Sequence, residues 1–239
     1  MALLLLAGCG QAAPRDRAED AVPARAFPTP ARPVAAIVSP RWSSEEDRDR
    51  VHEASEVMRR AGIKPGMTVA DIGAGEGYYT VRLAARVGKD GRVLAEDIMP
   101  SARDALAERI SRDRLDNVSV RLGLPADPRL PHASFDRIFL IHMYHEIESP
   151  YEFLWRLRPS LRTGGAVVVV DADRPTSQHG TPPALLACEF AAVGYRRVGQ
   201  TRMPSAGGYL ALFEPVGERL EPGAIRPCGS DAKPIGGAG

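Results

Sequence analysis

The sequence predicts an α/β fold in which helices wrap a doubly wound, mostly parallel sheet that ends in an antiparallel hairpin. Stretches with strand character alternate with helical ones, which is the arrangement of βα units. The run Ala166–Val170 is apolar at every position, as in strands buried on both faces. Two strands close the series, and we expect them to pair at the sheet edge. The predicted strands are Met67–Ile72, Arg92–Asp97, Val118–Leu122, Phe135–Ile141, Ala166–Val170, Tyr195–Thr201 and Tyr209–Glu214.

The predicted helices lie before the first strand and between later ones. The residues from Ser43 to Glu46 have N-cap character, and a polar helix is expected from there to about Arg60. The remaining helices are predicted at Tyr78–Val87, Ser101–Arg112, Pro150–Leu157 and Ala184–Val193.

The composition limits the classes of partner and of site. At 239 residues, 44% of them hydrophobic and 26% charged, the chain suits one ordinary domain with extensions. Its 31 Lys and Arg residues against 30 Asp and Glu give no bulk electrostatic attraction to a nucleic acid, so we expect no such partner. The three cysteines predict neither a disulfide framework nor a metal-ligand pair.

A glycine-rich loop between the first predicted strand and the next helix carries the strongest chemical signal. Residues Asp71–Gly77 read Asp-Ile-Gly-Ala-Gly-Glu-Gly, at the edge where open α/β sheets bind ligands. The third glycine falls one place early for a dinucleotide fingerprint, and no Gly-Lys-Ser or Gly-Lys-Thr follows. A nicotinamide oxidoreductase is therefore disfavoured. A carboxylate at Asp71 suits a cationic amino group better than a pyrophosphate.

This loop resembles motif I of the class I S-adenosylmethionine-dependent methyltransferases. Lys64–Gly66 and Leu161–Gly165 resemble further features of that family, and the resemblance extends from about Trp42 to Glu214. It implies a Rossmann-like, seven-stranded methyltransferase fold with S-adenosylmethionine as the cofactor. The residues that it implies for cofactor binding are Asp71, Gly73, Ala74, Gly75, Gly77, Tyr78, Glu96, Asp97 and Asp127.

The acids in this set have different implied roles. Asp97, with Glu96 as the fallback, would accept both ribose hydroxyls, since a carboxylate has two acceptor oxygens. Family members often have an acid after the glycine of the third loop, where this chain has Leu124, so Asp127 or a backbone group would take the adenine amino group. The alternatives stay open: Asp71 as a local helix or loop partner, Asp97 and Glu96 as solvated charges at a strand end, and Asp127 as a turn residue.

The segment after the fourth strand is where the family brings the methyl acceptor to the cofactor. We expect His145 or His142 to act as a base near neutral pH, and Tyr144 to pack on the sulfonium or shape the acceptor pocket. Both histidines could equally be hydrogen-bonded loop residues. The order His-x-x-His-Glu differs from the zinc motif His-Glu-x-x-His, so no metal is expected.

The two ends of the chain predict export and anchoring. Leu6–Cys9 resembles a bacterial lipobox, which implies a signal over residues 1–9 and a lipidated Cys9. Residues 10–40, rich in Pro and Ala, are expected to form an extended, solvated tether before a methyltransferase-like domain at 41–216. Residues 217–239 are expected to be a disordered tail in which Cys228 has no partner. The predicted location is the cell envelope, facing the periplasm, or the cytoplasm if the signal does not function.

Two functions follow from this sequence. The first is an S-adenosylmethionine-dependent methyltransferase that acts on a small-molecule acceptor. The alternative is a non-catalytic, envelope-anchored protein that keeps the fold and binds the cofactor or a nucleoside, because an exported enzyme would need a cofactor that is made in the cytosol.

Overall fold

The computed structural model describes residues 22–37 and 44–229, and its centre is a seven-stranded sheet. The strand order is β3-β2-β1-β4-β5-β7-β6, with β1 to β5 parallel and β7 antiparallel to both of its neighbours. The predicted fold class, including the antiparallel pair at the end, is confirmed. The strands are β1 Thr68–Ile72, β2 Arg92–Asp97, β3 Val118–Leu122, β4 Phe135–Ile141, β5 Leu161–Asp171, β6 Tyr195–Met203 and β7 Gly208–Pro215.

The helices begin and end close to the predicted residues, with one exception before β1. The single predicted helix is divided at His52, whose backbone is left-handed with φ 56°. The helices of the described ranges are α1 Glu45–Arg50, α2 Glu53–Arg60, α3 Tyr78–Val87, α4 Pro100–Arg112, α5 Pro150–Leu157 and α6 Pro183–Ala192.

The hydrophobic core lies on both faces of the sheet. In β5, Val167 and Val169 belong to the apolar cluster under α5 and α6, while Val168 and Val170 belong to the one under α2 and α3. All four are fully buried. The apolar run read from the sequence is therefore a strand covered on both sides, and each buried valine contributes about 1.5–3 kcal/mol.

The segment before the domain packs against it. Arg32 is buried and its Nε donates to Glu189 Oε1 at 2.8 Å, while Phe27 meets the edge of Trp155 with ring centroids 5.4 Å apart. The backbone N–H of Ala35 donates to the His145 carbonyl. This corrects the expectation of a solvated tether for residues 22–37, because a buried guanidinium and its carboxylate hold them to the core.

The segment after β7 is also part of the folded unit. Cys228 is disulfide-bonded to Cys188 on α6, across a sequence separation of 40 residues. Ile225 and Cys228 are buried, and Trp155 Nε1 donates to the Leu220 carbonyl at 2.8 Å. The predictions of a disordered tail and of an unpaired Cys228 are therefore wrong for residues 217–229.

The predicted signal and lipidated Cys9 lie outside the described residues. Within residues 22–37 and 44–229, no helix has the length and hydrophobicity needed to cross a bilayer.

Candidate active site

The candidate site lies at the carboxyl edge of the parallel strands. The sheet order reverses between β1 and β4, which are neighbours although β2 and β3 separate them in sequence. Open α/β sheets bind ligands above such a switch point. The loop after β1 and the acids that end β2 form one half of this edge, and the residues that follow β4 and β5 form the other.

The glycine loop presents bare backbone at one position. Gly73, Gly75 and Gly77 have φ of 66°, 53° and 87°, a region that side chains rarely adopt. A Cβ on Gly77 would lie 2.4 Å from Leu106 Cδ1, and one on Gly73 would lie 3.2 Å from Met143 Cγ. A Cβ on Gly75 would meet nothing within 4 Å. Gly73 and Gly77 therefore let neighbouring side chains pack against the loop, whereas the space beside Gly75 is open.

Asp97 ties this loop to the end of β2. Its Oδ2 accepts from the Gly75 N–H at 2.9 Å and its Oδ1 from the Met99 N–H at 2.8 Å. The backbone N–H of Ala74 donates to the Glu96 carbonyl at 2.9 Å, which joins loop and strand a second time. Each oxygen of a carboxylate has two lone pairs, so Asp97 retains acceptor capacity beside Gly75.

Glu96 points to the other face of β2, as successive strand residues do. Its side chain is buried, and its Oε1 has no hydrogen-bond partner among the described residues. A Cβ on Gly123 would lie 1.4 Å from that oxygen, so only glycine fits there. Burial raises the pKa of Glu96 to about 8, and the negative charges of Asp97 and Asp127 contribute in the same direction.

Asp127 lies in the loop after β3. It is buried and accepts a hydrogen bond from the Arg129 N–H at 2.8 Å. This is the local bond expected of a turn residue, the alternative role of Asp127. A cavity of about 660 Å³ adjoins this loop and is lined in part by Leu124, Asp127 and Arg156. Recognition of an adenine amino group by Asp127 stays a prediction.

Asp71 is buried beneath the first turn of α3. Thr80 Oγ1 donates to Asp71 Oδ2 at 2.6 Å. Burial raises the pKa of Asp71 to about 6, against the hydrogen bond from Thr80 and the charge of Arg48. Asp71 therefore makes the local helix contact expected in its alternative role. Its contact with a cationic amino group stays a prediction.

Tyr78 lies under α1 and does not face the open side of the loop. Its hydroxyl donates to Asp49 Oδ1 at 2.9 Å, and its ring lies between the guanidinium groups of Arg48 and Arg82, each 3.8 Å from the ring centroid. The structure corrects the expectation that Tyr78 lines the cofactor, because these contacts make it the base on which α1 rests.

A buried glutamate joins α2 to α1 and α3, and the two helices α1 and α2 are called the α1–α2 cover below. Glu53 is fully buried, accepts from Tyr79 Oη at 3.0 Å and pairs with Arg48 Nη2 at 2.5 Å. His142 Nε2 lies 3.3 Å from Glu53 Oε1, so this predicted base faces the α1–α2 cover. Burial opposes ionisation of Glu53, but the close contact with His142 and the hydrogen bonds from Arg48 outweigh it and lower its pKa to about 2.

His145 has an acid partner that the sequence analysis missed. Its Nδ1 lies 3.0 and 3.1 Å from the two carboxylate oxygens of Asp171, the last residue of β5. Asp171 also accepts from Thr181 Oγ1 at 2.7 Å and from the Ala172 N–H at 2.8 Å. Three donors fix the carboxylate, and it in turn fixes the imidazole. The position of Asp171, a charged residue at the end of a buried strand, is the feature of the sequence that could have identified it.

Tyr144 points away from this dyad and into the core. It is fully buried, and its hydroxyl donates to Glu189 Oε2 at 2.8 Å. The same glutamate pairs with Arg32. The predicted role of Tyr144 at the sulfonium or the acceptor is therefore wrong, because the short 3-10 helix Tyr144–Glu146 directs adjacent side chains to opposite sides.

Comparison with known proteins agrees with this geometry. Residues 69–165 match the model of a family described as a methyltransferase domain. The match covers less than half of the chain and supports a class I methyltransferase domain over these residues. The domain has the fold of a SAM-dependent methyltransferase from Aquifex aeolicus, with a TM-score of 0.62 and 22% identity over 72% of this chain and 97% of that one.

Curated relatives of this methyltransferase domain match in part only. An arsenite methyltransferase of Halobacterium salinarum is 28% identical over 54% of this chain and 34% of its own length. A protein-L-isoaspartate O-methyltransferase of Methanococcoides burtonii is 30% identical over 45% of this chain and 50% of its own length. The chain therefore spans half or less of these two relatives.

S-adenosylmethionine is the cofactor of this family, and the residues present fit it. The open space beside Gly75 would let a ligand approach the backbone, and Asp97 has lone pairs for ribose hydroxyls. The buried Glu96 Oε1 has no described partner, and its protonated carboxyl can donate a hydrogen bond. Neighbouring acids raise the pKa of this carboxyl, and such negative charge favours a cationic ligand.

Proposed function

We propose that the chain is an S-adenosylmethionine-dependent methyltransferase that acts on a small-molecule acceptor above β4 and β5. One observation carries the proposal: the Gly75–Asp97 cradle and the His145–Asp171 dyad lie at the same edge of the sheet, on either side of its switch point. The family match over residues 69–165 supports the same reaction class.

The cofactor supplies a methyl group on a sulfonium, which is already a good leaving group. The protein therefore has mainly to position donor and acceptor. Asp97 holds the Gly75 N–H and, in this proposal, the ribose. Helices α1 and α2 are held in place through Arg48, Glu53 and Tyr78, and in this proposal they cover the site and exclude water from it.

The dyad gives the acceptor a place to lose a proton. The tautomer that suits the contact with Asp171 has its hydrogen on His145 Nδ1, which leaves the lone pair of Nε2 for the acceptor proton. A base of this kind contributes about 10²–10⁴-fold when the acceptor must be deprotonated. An acceptor that carries a hydroxyl, acid or amine proton would use it.

The arsenite acceptor of one relative does not suit this chain. Arsenite chemistry needs free thiols, and Cys188 and Cys228 are joined in a disulfide, which leaves Cys9 as the third cysteine. The near-neutral net charge of +1 and the His145 environment favour a small organic acceptor.

Export to the cell envelope is part of the proposal. Disulfides persist in oxidising compartments, so the Cys188–Cys228 bond supports the predicted signal and the lipidated Cys9. Intact mass of the native protein and its fractionation with membranes test this. An unlipidated, unprocessed N-terminus in the soluble fraction would contradict it.

Cofactor binding is tested by calorimetry with S-adenosylmethionine and its demethylated product. Gly75→Ala and Gly66→Ala form a matched pair, because both glycines have positive φ and open space around a Cβ. We expect Gly75→Ala to weaken binding at least tenfold and Gly66→Ala to leave it unchanged. Equal affinities in the two variants would contradict the cradle.

Asp97→Ala tests the ribose contact in the same assay. Loss of hydrogen bonds to a charged acceptor costs about 1–3 kcal/mol, which corresponds to roughly 5- to 150-fold in affinity. Asp90→Ala, which removes an exposed acid before β2, is the control. A labelled methyl donor with envelope extracts then separates a methyltransferase from a binding protein, since only the former transfers the label.

A further inference from the structure

Three metal-ligating side chains converge beside the dyad. His145, Glu146 and His179 each offer one ligand atom, and these atoms lie within 4.8 Å of one another. They come from two places in the chain: the short 3-10 helix after β4, and the loop between β5 and α6. Both lie at the carboxyl edge, on the side proposed for the acceptor.

The first ligand is already oriented as metal-bound histidines are. A ligating imidazole usually donates its other N–H to a carboxylate, which fixes the ring and makes the ligating nitrogen more basic. Asp171 meets His145 Nδ1 with both oxygens, at 3.0 and 3.1 Å. The other ring nitrogen, His145 Nε2, lies 3.9 Å from Glu146 Oε1.

The second histidine is held in place by its loop. His179 ends the turn Thr176–Gln178 in a left-handed conformation, with φ 56° and ψ 57°. Its ring stands edge-on to His145 with centroids 5.6 Å apart. Its Nδ1 is buried and, among the described residues, has no hydrogen-bond partner. Thr176 Oγ1 donates to the Pro33 carbonyl at 2.7 Å, which ties this loop to the segment before the domain.

We propose that His145 Nε2, His179 and Glu146 bind a divalent transition-metal ion, for which Zn²⁺ is the best match. Two imidazole nitrogens and one carboxylate oxygen are a ligand set that Zn²⁺ uses with a fourth, exchangeable position. Ligand atoms around tetrahedral zinc lie about 3.4 Å apart, given bonds of about 2.1 Å. Because the three ligand atoms lie within 4.8 Å of one another, the proposed site requires side-chain rotations that bring them to that spacing.

The site changes what His145 does in the reaction, and this part rests on the proposed function. With a metal on Nε2, the imidazole is a ligand and no longer a base. The ion would lower the pKa of an acceptor hydroxyl at the open position, so that the hydroxyl would release its proton to water. The metal then activates the acceptor, and Asp171 positions the ligand that holds it.

The test uses the full chain after dialysis against a chelator, titrated with Zn²⁺ and with Co²⁺. His179→Asn and His52→Asn are matched, because both histidines have φ 56° and asparagine tolerates that backbone. We expect one ion per chain, visible Co²⁺ absorption typical of a nitrogen and oxygen site, and at least tenfold weaker Zn²⁺ binding in His179→Asn. His52→Asn is expected to bind as the unmodified protein does.

Glu146→Gln provides an independent check that keeps the side-chain shape, and we expect at least tenfold weaker binding. Substoichiometric binding, or binding that neither His179→Asn nor Glu146→Gln weakens, would overturn the metal site. Calorimetry with S-adenosylmethionine on the same chelator-treated protein keeps the two proposals apart. Cofactor binding without metal binding refutes only this inference, whereas metal binding without cofactor binding refutes the proposed function.

Discussion

The half of the sheet edge above β1 and β2 and the half above β4 and β5 both contain buried carboxylates, but their partners differ. Asp97 accepts two hydrogen bonds, both from backbone N–H groups. Asp171 accepts from the imidazole of His145 and the hydroxyl of Thr181 as well as from one N–H. The first arrangement shapes a loop, and the second orients an imidazole.

The two halves also differ in charge. Burial raises the pKa of Asp71 to about 6 and that of Glu96 to about 8, and the charge of Asp97 adds to both shifts. This half is suited to a cation. At the other half, Asp171 faces an imidazole, which suits a proton transfer or a metal. Binding and turnover are therefore expected to respond separately to substitutions in the two halves.

The largest expected effect is on turnover, from His145→Ala. Loss of the acceptor-activating group, whether base or ligand, should lower methyl transfer by about 10²–10⁴-fold, because general-base contributions have that size. The affinity for S-adenosylmethionine should stay within about twofold. Label transfer and calorimetry measure the two quantities, with His132→Ala in the loop before β4 as the control. A parallel loss of affinity would mean that the halves are not separate.

The next effect is on stability and comes from Glu96→Gln. The folded-state pKa of about 8 exceeds the usual 4.5, so the stabilising contribution of the protonated carboxyl is complete below about pH 4.5 and is lost as the pH rises to 8. We expect Glu96→Gln to be more stable than the unmodified protein at pH 8.5 by about 5 kcal/mol.

Denaturant unfolding between pH 5 and pH 9 measures this difference, with the exposed Asp90→Asn as the control. The variant should keep a weaker pH dependence, because the raised pKa of Asp71 acts with the same sign. Identical pH profiles for Glu96→Gln and the unmodified protein would show that Glu96 is ionised in the folded state.

The half above β1 and β2, which we propose binds the cofactor, could largely be predicted from the sequence, because it is local. The loop Asp71–Gly77 follows one strand and precedes one helix, and Asp97 ends the next strand. Glycines and acids at such positions indicate their chemistry directly. What the sequence could not predict there is orientation: Asp71 bonds Thr80, and Tyr78 lies beneath α1.

The other half could be predicted only in part, because its contacts join distant segments. His145 was identifiable as a residue type, but Asp171 and His179 reach it only through the folded sheet. The packing of residues 22–37 depends on Arg32 meeting Glu189 in the middle of α6. No periodicity or spacing predicts a pair that lies 157 residues apart.

The smallest effect separates two adjacent residues of one short helix. Tyr144→Phe removes the hydroxyl that donates to Glu189 and should cost about 1–2 kcal/mol of unfolding free energy, because a buried acceptor loses one of its donors. Turnover should not change, since this hydroxyl points into the core. Tyr195→Phe is the matched control: its hydroxyl is also buried and donates to the Leu154 carbonyl. Urea unfolding and label transfer are measured for both. A tenfold loss of turnover in Tyr144→Phe alone would return Tyr144 to the acceptor site, whereas similar stability losses with full turnover in both variants would establish that only His145 of the pair faces the chemistry.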